Sequence, residues 1–370
     1  MRLVISLLLF VLLLPTVTAG DVGFHQELIR VALFKGAESV RLDGNGILAT
    51  NDTGEPLRLS FPLEITRTRG GITANGMQLR GLKISAPVFV LVNGKGYRGV
   101  IEVTPAEKGL QVVNELPLEE YLVGLINCEI SSQWPMEAVK AQAVIARSYA
   151  IFQRDSRKNA AFHLESTVMD QVYEGCDIED SRAARGVKET AGEVLTFGGS
   201  VIQAFYHSNC GGHTEASENV WGYRIPYLTG VACRYCQNVN PYKWEQRIPL
   251  KKVESQLRAS GINISGIRDV RQGTRNRSGR VTEVVFSGSR GKVAVTAVAV
   301  RKALGYGVIK STNFDLRVND DDLLFTGTGN GHGVGLCQWG SKQRAADGFD
   351  YREILSYYYP GTRLVTLFGD

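Results

Sequence analysis

Residues Leu116 to Arg154 read LPLEEYLVGLINCEISSQWPMEAVKAQAVIARSYAIFQR, and the interpretation of the whole chain starts from this stretch. Apolar residues recur at helical spacing after Pro117, and a second run of good helix formers follows Pro135. Because proline fits the first turn of a helix and disrupts its interior, each proline marks the start of a helix. The stretch therefore predicts two helices joined by a tight break over residues 127–134.

The break places the carboxyl group of Glu129 at the end of the first helix, beside apolar residues and Trp134. Desolvation disfavours the charged form of a carboxyl group and raises its pKa. A carboxyl group with a raised pKa can act as a general acid near neutral pH. We therefore predict that Glu129 is catalytic. In the alternative interpretation, the stretch is a helical hairpin whose polar residues are only solvated.

Two cations lie on the second predicted helix. Lys140 and Arg147 are seven residues apart, so their side chains share one face of the helix. Two cations on one face beside a carboxyl group suggest a site for an anionic or oxygen-rich substrate. We therefore include both in the predicted site.

Ordered matches to one known family extend through most of the chain, from about Tyr97 to Leu364. The matching residues are Leu118–Leu122, Glu129, Trp134-Pro135, Glu137-Ala138, Lys140–Ala143, Ala146-Arg147, Tyr149-Ala150, Gln171–Tyr173, Tyr206–Ser208, Gly211-Gly212, Ser311–Phe314 and Gly331–Gly335. With these residues the chain resembles the sporulation stage II protein D and amidase-enhancer (SpoIID/LytB) family of bacterial cell-wall proteins.

The resemblance implies an activity on the bacterial cell wall. Enzymatic members of the family are lytic transglycosylases that cleave the glycan strands of peptidoglycan, whereas other members modify cell-wall amidases. By resemblance, Glu129 is the general acid and base for the bond between N-acetylmuramic acid and N-acetylglucosamine. Lys140 and Arg147 match family positions tied to activity, where they would orient the sugar or stabilise the Glu129 anion.

Two other functions remain open from the sequence. A two-carboxylate glycoside hydrolase needs a second acid at a fixed distance from the first, and Asp170 and Glu137 are the candidates. A wall-binding or amidase-activating protein would keep the fold without catalysis. The retained Glu129, Lys140 and Arg147 argue against this last function.

Candidate substrate-binding residues lie downstream. The family matches supply Gln171, Tyr206 and His207, and His332 lies in a glycine-rich loop between a predicted strand and a helix. This loop lacks the Lys-Ser/Thr of a P-loop and the spacing of a dinucleotide motif, which argues against nucleotide binding. We interpret His332 as part of the site wall, with a structural turn as the alternative.

The sequence predicts an α+β protein with five segments. They are a signal peptide (1–19), a β-rich region (20–114), a catalytic core with the two helices (115–247), an α/β insertion (248–317) and a return to the core (318–370). In the core, strand-like runs at 193–197 and 201–206 flank Gly198-Gly199 and predict a hairpin. The return starts with a strand-like run at 323–327, followed by the glycine loop and a helix.

The N-terminus has the pattern of an export signal. An apolar run from Leu3 to Leu14 precedes the small residues Val17-Thr18-Ala19. The run is shorter than the roughly 20 residues of a membrane span, although an uncleaved anchor is the alternative. We therefore expect an exported protein of the periplasm or cell wall, with membrane contact only through an uncleaved signal.

Composition restricts the partners. The 370 residues are 44% hydrophobic and 21% charged with a formal net charge of +5, which is typical of a globular protein. No basic tract or aromatic-basic stripe is present, so we predict no nucleic-acid binding. The expected partners are peptidoglycan glycan strands and, by resemblance, cell-wall amidases.

Four side chains have a spacing that suits a metal. His207, Cys210, Cys233 and Cys236 match tetrahedral zinc ligands in type and spacing. Cysteines of exported proteins usually form disulfides, and we place disulfides slightly ahead of a structural zinc ion. The predicted chemistry requires no cofactor.

Overall fold

The computed structural model describes residues 27–237 and 242–368. The predicted signal peptide lies outside these residues. Helices and mixed sheets alternate along the described chain, which confirms the predicted α+β class. Among the described residues, none of the helices combines the length and the apolar character that crossing a membrane requires.

The β-rich region forms two sheets around one hydrophobic core. Val40, Leu42, Leu63 and Ile65 alternate with exposed residues along neighbouring strands and point into this core. The strands are β1 (Leu28–Ala37), β2 (Ser39–Asp43), β3 (Leu48–Asn51), β4 (Pro56–Leu57), β5 (Leu63–Thr68), β6 (Gly71–Ala74), β7 (Met77–Leu79), β8 (Leu82–Ser85), β9 (Val90–Val92), β10 (Lys95–Tyr97), β11 (Val100–Pro105) and β12 (Leu110–Pro117).

The two predicted helices form directly after this region, as α1 (Leu118–Glu129) and α2 (Met136–Ser156). Pro117 and Pro135 each occupy the N-cap position, one residue before the helix, where a missing N–H costs little. Helix α2 lies between two hydrophobic cores. Val139, Ala143 and Ala146 face the first core, and Ala141, Val144 and Ile145 face the second.

The second half of the chain completes the core and forms a third hydrophobic cluster. Its elements are β13 (Leu164–Glu165), α3 (Ser181–Lys188), β14 (Glu193–Phe197), β15 (Ser200–Val201), β16 (Tyr206–His207), α4 (Ser217–Trp221), β17 (Lys243–Pro249), α5 (Leu250–Ala259), β18 (Asp269–Gln272), β19 (Glu283–Gly288), β20 (Gly291–Thr296), α6 (Ala297–Leu304), β21 (Phe314–Asn319), β22 (Asp322–Thr328), β23 (Leu336–Cys337), α7 (Gln338–Ala346), α8 (Tyr351–Tyr358) and β24 (Arg363–Thr366).

Six sheets arise from these strands. One orders β13-β1-β12-β11-β8-β3-β4 and a second orders β10-β9-β2-β5-β6-β7. Smaller sheets order β15-β14-β24, β16-β23, β17-β22-β21 and β18-β19-β20. Strand β13 joins the first sheet by pairing parallel to β1, so the segment after α2 is tied to the β-rich region.

The hairpin predicted around Gly198-Gly199 forms, but its second strand is shorter than predicted. Only two residue pairs join β14 to β15, and the chain then departs from β14. Residues Tyr206 and His207 instead pair in parallel with Leu336 and Cys337. The sequence pattern identifies extended backbone but not its partner, and here the partner lies near the other end of the chain.

The insertion is longer than the predicted 248–317. Strand β22, predicted as part of the return, is the central strand between β17 and β21. Trp244 and Phe325 lie in the same hydrophobic cluster as the insertion helices. The insertion therefore extends over about residues 243–328, because one of its sheets consists of β17 from its beginning and of β21 and β22 from its end.

Gly124 offers a test of how α1 is positioned. A Cβ at Gly124 would lie 2.6 Å from the carbonyl oxygen of Gly175 and 2.9 Å from the Tyr173 ring. Helix propensity alone predicts that Gly124→Ala gains about 1 kcal/mol. We expect a net loss of roughly 1–2 kcal/mol in the free energy of unfolding, because the overpacking cost is larger.

Urea unfolding measures this difference. Gly70→Ala is the matched control, since nothing lies within 4 Å of a Cβ there and its φ is not positive. A Gly124→Ala variant more stable than wild type would show that α1 and the 171–175 loop are not in close contact.

Candidate active site

Glu129 ends helix α1, and its carboxyl group is held from three other segments. The backbone N–H of Val172 donates to Oε1 at 3.2 Å. The hydroxyl group of Tyr206 and the side-chain amide of Gln338 also hydrogen-bond the carboxyl group. Glu129 remains partly exposed to solvent. The carboxyl group is thus fixed in place, and the residue that carries it keeps part of its surface in contact with solvent.

The surroundings of Glu129 raise its pKa. Desolvation by the packed protein is the largest cause, and it exceeds the opposing effect of the three hydrogen bonds. The carboxyl group therefore stays protonated to a higher pH than a free glutamate. This is the property that the sequence predicts from the apolar neighbours of Glu129.

A chain of hydrogen bonds orients Tyr206 toward Glu129. The Tyr121 hydroxyl donates to Oε1 of Gln171 at 3.1 Å, and Nε2 of Gln171 donates to the Tyr206 hydroxyl at 3.2 Å. Burial, and then the charge of Glu129, raise the pKa of Tyr206 well above its usual value. Tyr206 therefore remains a donor. The structure brings Gln171 and Tyr206, both predicted from the sequence, next to Glu129.

Gln142 and Gln338 complete the group of residues around Glu129, and neither was predicted from the sequence as a site residue. Nε2 of Gln338 lies 3.4 Å from Oε1 of Gln142, and both side chains are buried. Nε2 of Gln142 is buried without a hydrogen-bond partner among the described residues. Gln142 lies within the quoted family match, so a signal for it was present. Nothing in the sequence identified Gln338 as a site residue except its position shortly after the glycine loop.

A pair of tryptophans lies beside these residues. The rings of Trp134 and Trp339 are 4.9 Å apart, and the ammonium group of Lys342 lies within 5.1 Å of both ring centroids. Trp134 is in the break that follows Glu129, and Trp339 directly follows Gln338. Both rings are partly exposed. The arrangement provides a partly exposed aromatic surface on the two segments that carry Glu129 and Gln338.

Lys140 and Arg147 share one face of α2, as their spacing predicts, but that face points away from Glu129. Lys140 pairs with Glu137 and Glu189 at 2.9 and 2.7 Å. Gln142, which lies on the Glu129 side, is about 200° around the helix from Lys140. The prediction that Lys140 lies beside the Glu129 carboxyl group is therefore wrong.

Arg147 is a structural residue in this arrangement. It is fully buried and forms a bidentate pair with Glu119 at 2.6 and 2.7 Å. Its remaining nitrogen donates to the carbonyl oxygen of Glu193 at 3.0 Å. These contacts join α1, α2 and β14. The predicted role of Arg147 at the sugar is thus replaced by a role in holding the two helices together.

The two predicted histidines pack against each other behind Tyr206. Their ring centroids are 5.6 Å apart, and Phe205 and Trp221 lie near His332. Burial lowers the pKa of His332 to about 4 and that of His207 well below its usual value. Both imidazole rings are therefore neutral at physiological pH, and they form an uncharged aromatic surface next to Tyr206.

The carboxyl groups considered as a second acid are already engaged. Asp170 accepts hydrogen bonds from Tyr149, Gln153, Arg157 and the backbone N–H of Glu165. Glu137 pairs with Lys140 and accepts from the backbone N–H of Tyr351. Both carboxyl groups form ion pairs, whereas the Glu129 carboxyl group accepts hydrogen bonds from uncharged groups.

The predicted cysteines come together with one that was not included. The Sγ atoms of Cys210, Cys233, Cys236 and Cys337 all lie within 4.8 Å of one another. His207, predicted as the fourth ligand, is not among them, and its Nδ1 contacts the carbonyl oxygen of Val334 at 3.1 Å. All six cysteines of the chain are free thiols in the structure.

Fold and site together define an α+β protein with a single hydrogen-bonded carboxyl group beside an aromatic surface. Residues 106–197 match the family model SpoIID, described as stage II sporulation protein, and residues 234–335 match DUF8618, a domain of unknown function. Stage II sporulation protein D of Bacillus subtilis is 30% identical over 272 residues, which cover 69% of this chain and 76% of the relative. The chain belongs to the SpoIID family.

Two further relatives extend this comparison. An uncharacterised protein of Brachyspira hyodysenteriae is 33% identical over 304 residues, 81% of each chain. The amidase enhancer of B. subtilis is 30% identical over 292 residues, which are 66% of this chain and only 40% of that protein. The names of the relatives associate the family with sporulation and with enhancement of an amidase, which fits a cell-wall-related role.

Arg147→Ala tests the structural role of that residue. Removing one partner of a buried ion pair typically costs about 3–5 kcal/mol, and the lower end applies here because Glu119 is partly exposed. We expect a loss of about 3 kcal/mol in urea unfolding. Lys140→Ala is the matched control on the same face, and we expect it to lose less than about 1 kcal/mol. An Arg147→Ala variant that is as stable as wild type but inactive would contradict the structural role and would support contact of Arg147 with the substrate.

The pH dependence of stability tests the environment of Glu129. Because the folded-state pKa is raised, the folded protein binds more protons than the unfolded chain as Glu129 ionises. Wild type should therefore lose stability relative to Glu129→Gln as pH rises above about 4, the pKa of a free glutamate. The difference should level off once the pH exceeds the raised pKa. Thermal unfolding of both proteins between pH 4 and 8 measures it, and a pH-independent difference would contradict the raised pKa.

Proposed function

We propose that this protein is a lytic transglycosylase that cleaves peptidoglycan glycan strands between N-acetylmuramic acid and N-acetylglucosamine. One observation carries the proposal: Glu129 is a partly exposed residue whose largely buried carboxyl group has a raised pKa, and the carboxyl groups considered as a second acid, Asp170 and Glu137, are engaged elsewhere. One carboxyl group suffices for cleavage without water. Hydrolysis would require a second one.

The proposed reaction uses Glu129 twice. Protonated Glu129 donates its proton to the glycosidic oxygen as the bond to C1 of the muramic acid breaks, and N-acetylglucosamine leaves with a free 4-hydroxyl group. The Glu129 carboxylate then takes the proton of the muramic 6-hydroxyl group, whose oxygen bonds to C1. The product is a 1,6-anhydro ring, and Glu129 is protonated again without consuming water.

The groups around Glu129 support both stages. Desolvation favours the protonated acid of the first stage. The Val172 N–H, the Tyr206 hydroxyl group and the Gln338 amide donate hydrogen bonds, which stabilise the carboxylate of the second stage. Desolvation raises the pKa of Glu129, and the three hydrogen bonds limit that rise. Both the protonated and the ionised form of the carboxyl group are therefore accessible.

The aromatic surfaces suit a sugar chain. Sugar rings have apolar faces, and aromatic rings with polar edges bind amphipathic surfaces of this kind. The partly exposed pair of Trp134 and Trp339 belongs to the segments that follow Glu129 and Gln338, and the neutral His332 lies near Tyr206. We assign these residues, with Gln171 and His207 in support, to glycan binding. The substrate lies outside the cytoplasmic membrane, in agreement with the predicted export signal.

An amidase-enhancing function is the second candidate, and the similarity to the B. subtilis amidase enhancer favours it. In that case the chain binds peptidoglycan or an amidase and leaves the glycan intact. Mass spectrometry of peptidoglycan after incubation with the purified protein separates the functions. Anhydro-muropeptides indicate a transglycosylase, reducing-end muramic acid indicates hydrolysis, and unchanged glycan indicates an enhancer.

Glu129→Gln should abolish anhydro-muropeptide release with the fold intact. Glutamine keeps the size of glutamate but neither gives nor takes the proton. General acid-base catalysis contributes about 10²–10⁴ in rate, and a group used twice should lie at the upper end. Rates of product release from purified glycan strands measure the loss.

Glu120→Gln is the matched control, because Glu120 is an exposed carboxyl group on the same helix. Tyr206→Phe is an intermediate case: it removes a hydrogen bond that lowers the pKa of Glu129, so the rate should fall and the pH profile should shift upward. A folded Glu129→Gln variant that cleaves glycan at the wild-type rate would remove Glu129 from the mechanism.

A further inference from the structure

Four buried thiols converge from three segments that are distant in sequence. Cys210 follows β16, Cys233 is the N-cap residue and Cys236 the last residue of a single turn of 3-10 helix, and Cys337 is the N-cap residue of α7. All four side chains are fully buried. Their Sγ atoms lie within 4.8 Å of one another, and those of Cys210 and Cys236 are 3.4 Å apart.

The sulfur positions fit one tetrahedral metal ion. Zinc binds thiolate sulfur at about 2.3 Å, so four sulfurs around one ion are separated by roughly 3.8 Å. The distances in the cluster bracket this value. Two disulfides would join the four sulfurs in separate pairs and would not require all four Sγ atoms to lie within 4.8 Å of one another, whereas one ion accounts for that convergence.

Backbone donors point at the cluster as they do in thiolate sites. The N–H groups of Cys210 and Gly340 both donate to Sγ of Cys337 at 3.3 Å. Hydrogen bonds of this kind stabilise the negative charge of a metal-bound thiolate. A Cβ at Gly340 would lie 2.7 Å from Sγ of Cys233, so only glycine lets the first turn of α7 approach this closely.

A buried cation adjoins the cluster. Arg280 is 1% exposed, and its guanidinium group donates to the carbonyl oxygens of Cys210 and His213 at 2.6 and 2.8 Å. Within the described parts of the chain no carboxylate pairs with it directly, and the charges that act on it are those of Glu215 and of the cysteines in the cluster. A buried charge requires compensation, and a zinc ion with four thiolates carries a net charge of −2. The charge of Arg280 is therefore of the sign that such a centre attracts.

We propose that Cys210, Cys233, Cys236 and Cys337 bind one structural zinc ion. With four protein ligands the site is closed, so the ion has no position for a substrate or a reactive water. Its effect is mechanical: it ties the segment that follows Tyr206 and His207 to the start of α7. Cys337 directly precedes Gln338, so the ion also fixes one of the groups that hold Glu129.

The test uses the full chain, purified without a polyhistidine tag or added metal. Elemental analysis should find about one zinc per chain, and X-ray absorption should show four sulfur neighbours at about 2.3 Å. Removal of the ion by a chelator should lower the melting temperature, since metal binding stabilises the folded state. Cys337→Ser and Cys210→Ser should bind less than one-tenth of the wild-type zinc when assayed in the folded fraction.

Two control variants make the ligand set specific. Cys176→Ser removes a partly exposed thiol outside the cluster and should keep the zinc. His207→Gln should also keep it, because His207 is not part of the four-sulfur group. Cysteines bridged in non-reducing mass analysis without metal would overturn the proposal, as would bound iron or a set of three sulfurs and one nitrogen. Because the assay is independent of glycan cleavage, its failure would leave the proposed function untouched.

Discussion

A carboxyl group that must be desolvated and accessible at the same time constrains the whole arrangement around Glu129. Desolvation needs packed neighbours on several sides, and access needs one side open. The chain meets both needs by placing Glu129 at a helix end and holding it from Val172, Tyr206 and Gln338. Each of these groups belongs to a different segment, so the position of the carboxyl group depends on the packing of nearly the entire core.

Helix α2 provides the rigidity that this arrangement needs. It lies between two hydrophobic cores, and Arg147 bonds to α1 and to the start of β14 from within the interior. A buried guanidinium group with a bidentate partner permits little movement of the two helices relative to each other. The end of α1, and with it Glu129, is thereby fixed relative to the residues that contact it.

The helices and the identity of the central carboxyl group followed from local sequence. Two prolines and apolar periodicity specify α1 and α2, and the apolar neighbours of Glu129 give its raised pKa. Spacing also placed Lys140 and Arg147 on one face of α2. Spacing cannot predict whether that face is directed toward Glu129 or away from it, because packing of α2 against α3 and β14 sets the direction. A local sequence pattern shows which residues share a face of a helix, but tertiary contacts decide what that face contacts.

Contacts between residues that are far apart in the chain could not be predicted from the sequence for the same reason. Cys337 lies 127 residues from Cys210, and nothing in the spacing of the first three cysteines points to it. Likewise β22 resembles the start of the return segment, because it is extended and followed by the glycine loop. Its neighbours β17 and β21 assign it to the insertion instead. Strand partners in a sheet of this kind depend on the closure of a long loop.

The parallel pairing of β16 with β23 has a consequence for when the protein can first act. Tyr206 and Leu336 meet only after the intervening insertion has folded or been bypassed, and the pair Gln142 and Gln338 spans 196 residues. Contacts between such distant residues form late, since a long loop must close first. A partly synthesised chain therefore has Glu129 without its full set of partners. The groups around Glu129 are complete only once the segment that contains Leu336 and Gln338 has been made and has packed against the core.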